Sequence, residues 1–259
     1  VDGNKNKMIS LGEMAMTKNM HKAIMNKAIK ITLLSSAAIL GAFVAAPTAS
    51  AQSSNPFSLS ANAALVSDYR FRGLSLSNKD TAFQGGFDVS HKSGFYVGTW
   101  GSSIQNYNGA ELELDIYGGY STQVGSLTTD IGFYAYTYPG ATANTDYYEV
   151  YGSVSGSVDT VSWSLGTNYA FNQDGTGDQD NVYVYLNTSA PIGDTPFSVA
   201  GNIAYEEGAF ANNTHKWDWL LGLSYSFQQF SLSVNYIDTA NYSGASGDAA
   251  VMAMLSASF

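Results

Sequence analysis

Residues 215–227 read HKWDWLLGLSYSF. Trp217, Trp219, Leu221, Leu223, Tyr225 and Phe227 share one parity; Lys216, Asp218, Leu220, Gly222, Ser224 and Ser226 share the other. A period of two sends successive side chains to opposite faces of an extended chain, so this stretch is a strand with one apolar face. Residues 160–172 repeat the pattern, with Val161, Trp163, Leu165, Thr167, Tyr169 and Phe171 set against Ser162, Ser164, Gly166, Asn168, Ala170 and Asn172. So do residues 57–72, where Phe57, Leu59, Leu65, Tyr69 and Phe71 alternate with Ser58, Ser60, Val66, Asp68, Arg70 and Arg72. Carried along the chain, the reading predicts twelve strands near 57–72, 81–91, 94–104, 110–122, 126–138, 146–157, 160–172, 181–190, 196–206, 215–227, 230–238 and 249–259.

Alternation alone also suits a soluble sandwich with one wet face. Strand length argues otherwise, because most of these segments match the ~9–11 residues of a tilted membrane strand better than the ~5–6 of a soluble one. The polar face is Ser, Gly, Asn and Tyr, without the Lys/Glu mixture of a soluble surface. Connections alternate too. Lys92-Ser93, Gln123 to Gly125, Val158-Asp159, Pro191 to Thr195 and Gln228-Gln229 are short, whereas NQDGTGDQD and DTANYSGASG are long and polar. Short turns at one end and longer loops at the other mark an outer-membrane barrel. A sheet in hydrocarbon cannot leave an edge unpaired, so it must close. The expected fold is all-β: a transmembrane antiparallel up-and-down barrel of about 12 strands, with both termini on the periplasmic side.

Composition agrees. Charged residues make up 12% of the 259, about half the usual ~25%, yet no apolar run reaches the ~18–20 residues of a transmembrane helix. Apolar residues at 45% and aromatics at 14% exclude disorder. The absence of cysteine excludes disulfides and cysteine-based metal or redox sites. With 11 basic residues against 21 acidic, nucleic acid is not an expected partner.

The N-terminal segment reads as an address. From Met25, Lys27 and Lys30 form a positive region, Ile31 to Ala46 an apolar one, and Ala49-Ser50-Ala51 a cleavage site before Gln52. Residues 1–24 are read as an over-extended start, 25–51 as a signal peptide and 52–259 as the barrel. The mature chain keeps five basic side chains against 19 acidic, a net charge of −14. The last strand, AAVMAMLSASF, ends on Phe259. A terminal Phe on an amphipathic strand is similar to the signal read by the barrel assembly machinery of Gram-negative bacteria. Outer-membrane lipid, that machinery and small polar solutes are the expected partners, and the bacterial outer membrane is the expected location.

VSDYRFRGLSLS (66–77), AFQGGFDVSHKSGFYVGTWGSS (82–103), ELDIYGGY (113–120), YAYTYPGA (134–141) and YYEVYGS (147–153) resemble the proteobacterial TorF-type porin family, also known as Gcw_chp. Asp68 to Gly73, Gln84-Gly85 and Tyr138-Pro139-Gly140 together carry the resemblance, which covers residues 60–156 by motif. Thr81 departs from the Pro the family pattern leads one to expect. The resemblance implies an outer-membrane, porin-like protein without catalytic residues.

If the apolar face meets lipid, the other face lines the interior. Asp68, Arg70 and Arg72 are then pore-lining near the external end of the first strand, with Asp88 and Gln84 on the second. Glu111, Glu113 and Asp115 follow on the fourth, Asp130, Tyr134, Tyr136 and Tyr138 on the fifth, and Tyr147, Glu149 and Tyr151 on the sixth. Fixed charges of this kind select solutes by sign. The expected function is a porin-like channel for passive diffusion of small cationic or neutral polar solutes. The alternatives are a structural or adhesin-like barrel with a plugged lumen and, lower, an outer-membrane lipid hydrolase. For the hydrolase, His91 lies at the periplasmic end and His215 at the external end without a serine two residues away, so no base–nucleophile pair is supplied. Asp174 to Asp180 lacks the spacing of a calcium loop. The chain is read as no enzyme, with no metal and no cofactor.

Overall fold

The computed structural model describes residues 55–259; the signal-peptide reading of residues 25–51 and the start-site reading of 1–24 lie outside them. Twelve long strands form one closed antiparallel barrel. They are β1 (Phe57–Val66), β4 (Ala82–His91), β5 (Phe95–Tyr107), β6 (Ala110–Val124), β7 (Leu127–Thr137), β8 (Tyr147–Val158), β9 (Val161–Gln173), β10 (Gln179–Pro191), β11 (Phe197–Gly208), β12 (His215–Phe227), β13 (Phe230–Ala240) and β14 (Ala250–Ser258). A two-stranded hairpin of β2 (Arg70–Phe71) and β3 (Leu74–Ser75) interrupts the series between β1 and β4. Each barrel strand pairs with its chain neighbours, and β1 with β14 closes the ring through Asn62 opposite Ser258 and Leu65 opposite Leu255. Closure satisfies backbone groups that hydrocarbon could not.

The outward face is apolar all round. Ile116, Phe133, Leu165, Ile203, Leu221 and Val234 are exposed along its middle. Phe57, Phe95, Phe197, Phe227, Phe230 and Phe259 ring the short-turn end, and Phe83, Tyr107, Tyr148, Phe171 and Trp217 the opposite, loop end. An apolar band between two aromatic girdles is the outer-membrane pattern.

On the inner face tyrosines lie over glycines. Gly98 is opposite Tyr117, Gly119 opposite Tyr96, Gly132 opposite Tyr151 and Gly166 opposite Tyr185. A Cβ at any of these glycines would collide with the facing phenol, so the alternation of Gly and Tyr lets large rings line a curved wall closely.

The structure corrects the first strand. It ends at Val66, not at residue 72, and the chain then turns into the barrel. Tyr69 and Phe71, read as outward-facing, point inward instead: Tyr69 is buried and Phe71 packs edge-on against Tyr136. The third strand runs on to Tyr107 and closes through a tight Asn108-Gly109 turn with both residues at positive φ, the type I′ geometry that Asn-Gly favours.

Candidate functional site

The hairpin is built by one carboxylate. Asp68 Oδ2 accepts from Arg70 Nε at 2.6 Å, and its Oδ1 from Ser75 Oγ at 2.6 Å and Ser77 Oγ at 3.3 Å. Arg72 and Gly73, with φ of 49° and 83°, form the tip. Gly73 is required there twice over, since a Cβ would meet Thr239 Cγ2 at 2.5 Å and Asp218 Cβ at 2.8 Å. Arg70 Nη1 donates to the carbonyls of Gly73 at 3.0 Å, Ser246 at 3.0 Å and Asp248 at 2.9 Å, tying the hairpin to the β13–β14 loop.

From the tip, Arg72 reaches across the lumen. Its Nη2 meets Glu149 Oε2 on β8 at 2.6 Å and its Nη1 meets Glu206 Oε1 on β11 at 2.9 Å. Its guanidinium lies 4.5 Å from the Tyr183 ring centroid. Lys216 on β12 bonds Glu206 Oε2 at 2.8 Å, Asp218 Oδ2 at 3.3 Å and the carbonyl of Arg72 at 2.5 Å. Asn168, Asn181 and Tyr136 complete the shells of Glu149 and Glu206. Burial works against the charge of Arg72, but Glu149 and then Glu206 outweigh it and hold its pKa above the ordinary guanidinium value. Tyr69 donates to Glu113 Oε1 at 3.1 Å; burial first, and then Glu113 and Asp115, push its hydroxyl pKa up, so it stays a donor.

The residues read as pore-lining therefore divide. Asp68, Arg70 and Arg72 sit at the inward hairpin, not on a barrel strand; all three are buried, Asp68 and Arg70 pair with each other, and Arg72 meets Glu149. Glu113, Asp115, Tyr134 and Tyr136 are buried on the wall beside it. Asp88 and Asp130 lie toward the short-turn end, accepting from Tyr117 at 2.5 Å and Tyr96 at 2.6 Å. Glu111 stands exposed at the loop rim. Glu206, Lys216 and Asp218 were not among the candidates, yet they hold the far side of the cluster; parity alone places all three on the inner face.

The six buried carboxylates Asp68, Glu113, Asp115, Glu149, Glu206 and Asp218 outnumber Arg70, Arg72 and Lys216. Below them the inner wall is hydroxyl- and amide-rich, with Ser155, Ser164, Asn187, Ser231, Ser233 and Asn235. His215 at the loop end stacks on Tyr205 at 5.6 Å and contacts Thr214 Oγ1 at 3.2 Å. Asp174 bonds Asn144, and Gly177 N donates to its carbonyl, closing the 174–178 turn upon itself. No group of three Asp, Glu or His among the described residues is placed to hold a metal.

Residues 50–259 match the family described as "Bacterial protein of unknown function (Gcw_chp)". The chain belongs to this family. The match spans the barrel and includes the stretches that carry the resemblance at 68–73, 84–85 and 138–140. Among solved structures, this Gcw_chp member is similar to the KdgM porin at a TM-score of 0.55 and 10% identity, covering 77% of this chain and 98% of that one. It is similar to the NanC porin at 0.52 and 13%, covering 78% and 99%. A third similar structure is the KdgM porin in complex with disordered oligogalacturonate, at 0.53 and 9%, covering 78% and 97%. At these identities what the Gcw_chp member shares with them is the barrel. No curated protein matches its sequence.

Proposed function

We propose that the chain is an outer-membrane channel through which small cationic or neutral polar solutes diffuse passively, its external mouth narrowed by the β2–β3 hairpin. The observation that carries the reading is the inner surface: a polar Ser/Asn/Tyr wall inside an apolar cylinder, with six buried carboxylates against three basic groups. Low-dielectric walls focus such a field, so a few carboxylates at a constriction govern which ions enter. The barrel shared with the KdgM and NanC porins supports a porin-like role. The oligogalacturonate of the KdgM complex is a carboxylate polymer. Here each lumen base already faces an internal acid, Arg70 with Asp68, Arg72 with Glu149, and Lys216 with Glu206. Among the described residues a polyanion entering this lumen would meet no uncommitted positive charge, and anionic sugars are therefore disfavoured.

One observation favours a second reading. Arg72 spans from the hairpin to two strands with its charge buried, which is what a permanently plugged, structural barrel would also have. Liposome swelling separates the two. Proteoliposomes in isotonic arabinose or lysine hydrochloride are expected to swell faster than those in sodium gluconate. Swelling no faster than protein-free vesicles in every solute would favour the plugged barrel.

A further inference from the structure

Two of the lumen carboxylates have no cation. Glu113 and Asp115 follow one another on the inner face of β6, both buried. Glu113 Oε1 is bonded by Tyr69, but its Oε2 and both oxygens of Asp115 have no hydrogen-bond partner among the described residues. Among these residues neither enters an ion pair, and Arg70, Arg72 and Lys216 are committed to Asp68, Glu149, Glu206 and Asp218. A buried carboxylate with nothing to receive is costly.

A separate group points to the same place. The Tyr134 hydroxyl is buried and has no hydrogen-bond partner among the described residues. Its ring stacks at 5.3 Å on Tyr136, which stands opposite Asp115 in the β6–β7 register. Trp100 faces Asp115 across the β5–β6 register, and Tyr69 lies against Trp100 at 5.5 Å. Three partnerless carboxylate oxygens and one partnerless phenol thus lie among aromatic rings.

We propose that Glu113 and Asp115, with Tyr134, form a binding site for a monovalent ammonium-type cation: ammonium itself or a protonated primary amine. Its N–H groups donate to the carboxylate oxygens, and its charge is stabilised by the faces of the surrounding rings. A calcium-like ion suits the site poorly, because it takes 6–8 oxygen ligands and two carboxylates supply too few. Tyr69 covers the pair from the hairpin, so entry requires that hairpin to shift. The proposal deepens the reading of the lumen as a path for cations, and rests on it.

Equilibrium binding tests it apart from conduction. The refolded barrel in detergent is titrated with methylammonium chloride, with lithium chloride added to hold ionic strength constant, while Trp emission and the thermal midpoint are recorded. Trp100 is the reporter, as the buried tryptophan of the lumen. A saturable emission change and a rise in midpoint are expected in the wild type, both lost in Asp115→Asn and weakened at least about tenfold, or 1.4 kcal/mol, in Glu113→Gln. Should Asp115→Asn not fold, as judged by heat-modifiable mobility, Glu113→Gln carries the comparison. No response in the wild type, or the same response to sodium at equal ionic strength, would overturn the site. Cation-selective current without binding would sink the site and leave the channel reading standing. Binding without current would do the reverse.

Discussion

Arg72 Nη2 and Glu149 Oε2 lie 2.6 Å apart, joining a hairpin that leaves the wall after β1 to a strand on another part of the ring. Both groups are buried, and the same guanidinium takes Glu206 on β11 at 2.9 Å. Breaking a buried pair by removing one partner leaves the other charge uncompensated, at about 3–5 kcal/mol. Arg72→Met should therefore lower stability against urea by about that much. Adding Glu149→Gln should restore a large part of it, because the carboxylate that Arg72 alone neutralises goes as well, whereas Glu206 keeps Lys216. A double variant no better than Arg72→Met would show that the cost lies in packing at the hairpin tip and not in charge.

The exterior makes a second prediction. Leu221 sits mid-way along β12 and is 65% exposed. In a bilayer, Leu221→Arg places a charge in hydrocarbon and should cost about 2–4 kcal/mol of folding free energy. Ser224→Arg, on the inner face of the same strand, should cost much less. If the two substitutions cost the same in lipid vesicles, the outward face does not meet lipid.

Much of this was legible in the sequence, and the exceptions have physical causes. HKWDWLLGLSYSF assigns each side chain of β12 to a face, and the structure buries Lys216, Asp218 and Gly222 as that parity requires. The short turns were legible because a two-residue hairpin leaves little slack: Asp159 and Gln228 take the left-handed conformations such turns need. The break after Val66 was not. The chain bends at residues 67–68 and turns at Arg72 and Gly73, but the alternation of Asp68, Arg70 and Arg72 in sequence continues unbroken past the point where the strand ends. Glu206 and Lys216 could be placed on the inner face, but their meeting with Arg72 depends on how the ring closes, and no local pattern encodes that.

Phe259 lies at the seam of the barrel. Its N–H donates to the carbonyl of Ala61 at 2.9 Å, and its carbonyl accepts from Ala61 N at 3.1 Å, while its ring stands exposed at the short-turn end. Removing it deletes both closing bonds and the terminal aromatic expected to be read during assembly. The fraction of heat-modifiable, folded barrel in outer-membrane preparations should fall, and more steeply than for Phe227→Ala in the same girdle. Equal yields from the two variants would count against any special role for the terminal residue.

The central claim, a cation-favouring path narrowed by the hairpin, is tested most directly by the reversal potential of single channels in a planar bilayer under a salt gradient. The wild type is compared with a variant whose residues 69–79 are replaced by a short Gly-Ser linker. The account predicts a small cation-selective conductance for the wild type and a larger one without the hairpin, with the sign of the reversal potential unchanged. Amide replacement of Glu111, Glu113 and Asp115 should move that potential towards anions. This shift should shrink as salt rises, because the Debye length falls from about 10 Å at 0.1 M to about 3 Å at 1 M. An anion-selective potential, or no conductance from either the wild type or the hairpin-less barrel, would contradict it.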